Sequence, residues 1–122
     1  MANIISMEPY RSRKIRSMCT LPLGWVSVDL EYHFDSISKR YEPIEISFWD
    51  MVKDEEIFTT KIQITDPSSL TDWRKNNGYN EEAFINAPTM AQLDKKISYM
   101  FKGSVGVFWN KQNDLQHYPM LA

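Results

Sequence analysis

Residues 25–32, Trp-Val-Ser-Val-Asp-Leu-Glu-Tyr, alternate apolar and polar side chains. Successive side chains on a β-strand point to opposite faces. Val26, Val28, Leu30 and Tyr32 therefore share one face, and Trp25, Ser27, Asp29 and Glu31 share the other. Two further apolar runs, Ile44 to Val52 and Glu56 to Ile64, read as strands joined by the short polar connection Lys53-Asp54-Glu55 of a hairpin. Leu21 to Gly24 reads as a turn into the first strand, and His33 to Pro43 as a loop after it. Asp66-Pro67-Ser68 breaks the pattern, and residues 68–87, with Asn76, Asn77, Gly78 and Asn80, read as short helical turns and loop. Thr89-Met90-Ala91-Gln92 is a capping-box sequence, and Met90, Leu93, Ile97, Met100 and Phe101 then form one apolar helical face. Gly103 stands where a helix C′ residue is expected. Ser104 to Trp109 reads as a buried strand, Asn110 to Asn113 as a turn, and Asp114 to Leu121 as a last amphipathic piece. The order β-β-β-α-β-α predicts an α/β fold: an antiparallel meander, then a helical crossover to a fourth strand parallel to the first.

With 122 residues the chain has room for one core, not two. Fourteen basic against sixteen acidic residues give a net charge of −2, so attraction of a polyanion by bulk positive charge is excluded and any nucleic-acid contact needs a local patch. Residues 1–24 carry Arg11, Arg13, Lys14 and Arg16 against Glu8 alone and show no sustained period. They read as a surface-draped tail, or as a basic arm that touches a phosphate backbone. Cys19 is the only cysteine, which excludes an internal disulfide and a multi-cysteine zinc site and fits a reducing, intracellular (cytoplasmic) location. No apolar run is long enough for a membrane span, and no secretory signal is visible at the start.

The chemistry lies in the carboxylates. Asp29 and Glu31 point the same way, roughly 7 Å apart along the strand. Like charges repel, and burying them unpaired is costly. Solvent exposure is the ordinary solution, and a shared cation is the other. Asp114 follows the predicted parallel strand at its junction with the last helix. If that strand neighbours the first, Asp114 reaches the same region, at the carboxyl ends of strands where open α/β sheets place their sites. Three hard oxygen ligands suit Mg²⁺ or Mn²⁺ rather than zinc.

V-D-L-E at Val28–Glu31, I-E-I-S at Ile44–Ser47 and N-K-Q-N-D at Asn110–Asp114 together resemble the DEDD family of 3′→5′ exonucleases. The family pattern is a hydrophobic residue before D-x-E, then I-E-I-G, then a strand leading into N-x-x-x-D. Gly78 and the stretch Glu81 to Thr89 resemble the family's linker and helix start, so the resemblance runs from residue 25 to about 121. It implies a ribonuclease-H-like fold: a mixed sheet of three antiparallel strands plus a parallel strand, with flanking helices. It implies Asp29, Glu31 and Asp114 as ligands of Mg²⁺ or Mn²⁺, and phosphodiester hydrolysis at single-stranded RNA or DNA ends. Residues 25–122 are then the exonuclease-like domain and residues 1–24 a basic extension.

The sequence departs from that pattern in three places. Bulky Tyr32, His33 and Phe34 follow the D-x-E, and Trp109 stands where the family commonly has His. The family's last motif, a further Asp with a His or Tyr base on a later helix, is absent, since Ala122 comes eight residues after Asp114. His117 lies on the same piece as Asp114, not on a later helix, and His33 reads as a solvated loop imidazole. The expectation is a truncated domain, weak or inactive as a nuclease. The alternative is a non-catalytic exonuclease-like module that binds nucleic acid or a protein partner. Trp25, Trp49, Trp73, Trp109 and Tyr32 offer it stacking surfaces, and Tyr118 to Leu121 would pack on a partner or a second copy. A third reading is a small α/β interaction domain whose D-x-E is decoration.

Overall fold

The computed structural model describes residues 3–6 and 24–108. They form a five-stranded mixed sheet in the order β1-β5-β2-β3-β4. The strands are β1 (Asn3–Ser6), β2 (Trp25–Asp35), β3 (Arg40–Asp50), β4 (Glu55–Lys61) and β5 (Val105–Phe108). The pairs β2–β3 and β3–β4 are antiparallel, whereas β5 lies parallel to β2 on one side and to β1 on the other. A 3-10 turn (Pro67–Ser69) and helices α1 (Asp72–Asn76), α2 (Glu82–Ile85) and α3 (Met90–Met100) connect β4 to β5. The α/β class, the meander and the parallel fourth strand agree with the sequence reading.

Face assignment follows from register, because directly paired residues share a face. Val26, Val28 and Leu30 of β2 pair with Asp50, Phe48 and Ile46 of β3. On that face the apolar residues pack with Leu93, Ile97, Phe101 and Phe108 into the main core. Phe48 lies at its centre, stacked on Phe58 at 5.3 Å and on Phe101 at 4.4 Å between ring centroids. Helix α3 starts as predicted: Thr89 and Gln92 complete a reciprocal capping box, and Leu93 and Ile97 are buried. Met100, expected in the apolar stripe, is 41% exposed. Gly103, expected at C′, lies one position further on, with φ +80°, in a turn closed by the Ser104 N–H to the Phe101 carbonyl. A smaller cluster, Ile44, Ile64, Leu70 and Phe84, sits beside a bulge in β3.

Two expectations are corrected here. The opening segment is not wholly a tail, because Asn3–Ser6 is a strand on the sheet edge and Ile4 packs against the main core. Four residues whose parallel partner lies a hundred positions away carry too little local period to announce themselves. Arg11, Arg13, Lys14 and Arg16 lie outside the described residues. The loop expected from His33 to Pro43 is mostly strand: β2 runs to Asp35 and β3 resumes at Arg40. Asp35 makes the tight turn possible by accepting from the Ile37 and Ser38 N–H groups, and Lys39 closes it with φ +60°. His33 is accordingly no solvated loop imidazole. Its side chain is buried, Nε2 is 3.5 Å from Glu42 Oε2, and neither ring nitrogen is hydrogen-bonded among the described residues.

Candidate carboxylate site

The face of β2 opposite α3 carries Ser27, Asp29, Glu31 and His33, as period-two geometry dictates. Across the β2–β3 ladder, Asp29 pairs with Ser47 and Glu31 pairs with Glu45. Asp29 is exposed, and Glu31 and Glu45 are half-buried. The D-x-E was expected at the carboxyl end of its strand. It sits mid-strand instead, since β2 continues to Asp35. Across the parallel β2–β5 pairing, Phe108 is level with Val28, and Asp29 is the next residue along.

Two like charges directly opposite on neighbouring strands destabilise a sheet unless cations compensate them. Here each has one. Arg74 Nη1 donates to Glu31 Oε2 at 3.0 Å, while its Nη2 donates to the Tyr32 carbonyl at 2.5 Å. Lys61 Nζ lies 3.7 Å from Glu45 Oε2. Tyr79 stands between the two cations, its ring 5.5 Å from Lys61 Nζ and 5.9 Å from the Arg74 guanidinium. Burial, then the Glu45 carboxylate beside it, pushes the Tyr79 phenol up to about 12. The arrangement depends on α1. Thr71 caps this five-residue helix by accepting from the Arg74 N–H, which fixes the start of the Arg74 side chain over β2.

Arg74, Lys61 and Tyr79 carried no signal in the sequence reading, since a guanidinium 43 positions from its carboxylate leaves no spacing motif. Glu45 lay inside the I-E-I-S motif, but its position opposite Glu31 needs the strand register. Asp114, His117 and Trp109 lie outside the described residues, as does Cys19. Among the described residues, no group of three His, Cys, Asp or Glu side chains is placed to hold a metal ion. The ligand chemistry of Asp29 and Glu31 suits a hard divalent cation. The geometry of Glu31 does not leave it ready for one, because Arg74 already occupies its Oε2.

The aromatic residues divide by environment. Trp73 is 60% exposed with the Arg74 guanidinium 4.5 Å from its ring, and Trp49, 43% exposed, donates its indole N–H to Asp54. Tyr32 packs against the main core and Trp25 is half-buried. No helix among the described residues is long and apolar enough to cross a membrane. No protein-family model matches the chain, and no curated protein matches it.

Proposed function

We propose that the chain is a ribonuclease-H-like module of the 3′→5′ exonuclease type, acting weakly on single-stranded RNA or DNA ends at the carboxylate face. The observation that carries this reading is topological. An antiparallel meander is followed by a helical crossover to a strand parallel to β2, and Asp29, the residue after the Val28–Phe108 pair, stands on the face away from α3. Asp29, Glu31 and Asp114 are the proposed ligands of Mg²⁺ or Mn²⁺. Bound there, the metal supplies activation of a water and stabilisation of the leaving phosphodiester oxygen. Asp29 is exposed, and Glu31 joins the ligand set by exchanging its Arg74 partner.

Incubation with 3′-labelled single-stranded RNA and DNA, with and without EDTA, tests the reading. Slow trimming that EDTA abolishes, and that Asp29→Ala reduces on the order of a hundredfold or more, is expected. Trimming that persists in EDTA, or no trimming at any Mn²⁺ concentration, rejects it.

One observation favours the non-catalytic alternative. The Arg74–Glu31 pair satisfies with a side chain the carboxylate that a nuclease would give to metal. Under that reading the same face binds single-stranded nucleic acid or a protein without cleaving it. Oligonucleotide binding that is unaffected by EDTA and by Asp29→Ala distinguishes the two.

A further inference from the structure

We infer that the outer edge of β4, with the groove between it and α3, docks an extended acidic peptide of a partner protein as an added strand. This surface is separate from the carboxylate face, because the groove opens on the α3 side of the sheet.

The backbone supplies the first observation. β4 is an end strand, with β3 on one side and no strand on the other. The Ile62 N–H donates to the Ile44 carbonyl at 2.8 Å, so that level of the ladder is a hydrogen-bonded pair. Bonded and non-bonded pairs alternate along an antiparallel ladder. Thr60, level with Ile46, is therefore bonded to β3, whereas Thr59 and Lys61, level with Ser47 and Glu45, turn their N–H and C=O groups outward. The next outward N–H, that of Gln63, donates to the Pro88 carbonyl at 2.9 Å. The chain thus begins an added strand itself and then leaves the edge where Thr89 caps α3. Among the described residues nothing accepts from the Thr59 and Lys61 N–H groups, and the Lys61 carbonyl accepts from the Thr60 hydroxyl. An edge of this kind is a template for a further strand.

The second observation is the groove beside that edge. It has a volume of about 530 Å³ and is lined by Phe58, Thr60, Pro88, Gln92, Leu93 and Lys96. Phe58 and Leu93 make it apolar, and Lys96 Nζ lies 4.5 Å from the Phe58 ring. Lys96 is the one charged side chain along the lining, and among the described residues it has no ion-pair partner. The neighbouring carboxylate, Glu56, is held by the Thr59 hydroxyl. A strand laid along the edge turns every second side chain to the groove. One of these meets Phe58 and Leu93 and is apolar; another, two residues away, meets Lys96 and is acidic. Main-chain bonds to Thr59 and Lys61 fix the register, and these two side chains give the selectivity.

The dye-labelled peptide Thr-Val-Thr-Glu-Thr-Val-Thr-Glu-Thr, with Val and Glu on one strand face and Thr on the other, is the probe for the full chain. Fluorescence anisotropy reads its binding, and amide hydrogen exchange reads the edge. Saturable binding that slows exchange at Thr59 and Lys61 is expected. Replacing Glu by Lys in the peptide should weaken it about tenfold or more, and Lys96→Glu should reverse that preference. Methylating alternate peptide nitrogens, in either phase, should abolish binding in one phase and spare it in the other. Thr59→Pro removes an outward N–H without touching a bond to β3 and should abolish binding. If Thr59→Pro does not fold, Lys96→Glu and the exchange pattern decide. No saturable binding, or binding that leaves Thr59 and Lys61 exchange unchanged, overturns the inference. Slow exchange at both amides in the free monomer overturns it in favour of a segment of the same chain. Slow exchange that accompanies a concentration-dependent dimer in ultracentrifugation overturns it in favour of a second copy.

Discussion

Among the described residues, Tyr79 and Asp35 are the two whose surroundings move their protonation, and in opposite directions. Burial raises the Tyr79 phenol to about 12, and the neighbouring Glu45 adds to it. A raised folded-state value means that the stability Tyr79 contributes is complete below the ordinary phenol value of 10.0 and is lost as pH climbs from there towards about 12. Ultraviolet titration should therefore place the Tyr79 midpoint near 12, and Tyr79→Phe should remove one high-pH transition and flatten the alkaline limb of the stability curve. At Asp35 the Ser38 side-chain hydrogen bond, with the Ile37 backbone N–H, holds the carboxyl below its ordinary value of 3.8. A lowered value carries the opposite sign: the contribution is complete above the ordinary value and disappears as pH falls through the folded-state value. Asp35→Asn is expected to weaken the β2–β3 turn at neutral pH and to reduce the acid dependence of the urea midpoint as pH falls below the ordinary carboxyl value of 3.8.

The elements divide by whether their determinants are local. Helix α3 was legible because its start needs only Thr89 and Gln92, three residues apart, and its buried face only Leu93, Ile97 and Phe101. Thr89→Ala should cost about 1 kcal/mol, read as a lower thermal midpoint with an unchanged native circular dichroism spectrum. The central alternation of β2 was legible for the same reason. Its far end was not, because His33 and Asp35 are polar residues buried on a strand, against Glu42 and a turn that the sequence pattern did not reveal. The β3 bulge leaves Ile44, between Glu45 and Pro43, without a partner on β2, so the extra residue interrupts the simple alternation that betrays a strand. Asp29 and Glu31 were visible as a pair on one face, whereas Glu45 opposite Glu31 follows from the register, and the cations on Glu31 and Glu45 arrive from α1 and β4 through tertiary contacts.

Across the whole molecule, sheet and helix layers are joined by one aromatic column. Phe58 of β4, Phe48 of β3 and Phe101 at the end of α3 stack in sequence, and Phe48 is fully buried in the middle. Removing that ring leaves a cavity bounded by all three elements. Phe48→Ala should cost about 3–5 kcal/mol, a large part of the roughly 5–15 kcal/mol that holds a domain together. A chemical-denaturation midpoint lowered in proportion, with an unchanged slope, is the expected result. A loss below about 1 kcal/mol would mean that the layers are held elsewhere. The position of β5 has a further consequence for how the chain is made. Asn3 pairs with Val105, so β1 is made 102 residues before its neighbour. β2 emerges soon after and can zip to β3 and β4, but the parallel half of the sheet forms only when the crossover delivers β5 into the slot between β1 and β2. During that interval the nascent chain holds a finished meander whose β2 edge, like that of β4, is bare, the state in which a chaperone has most to protect.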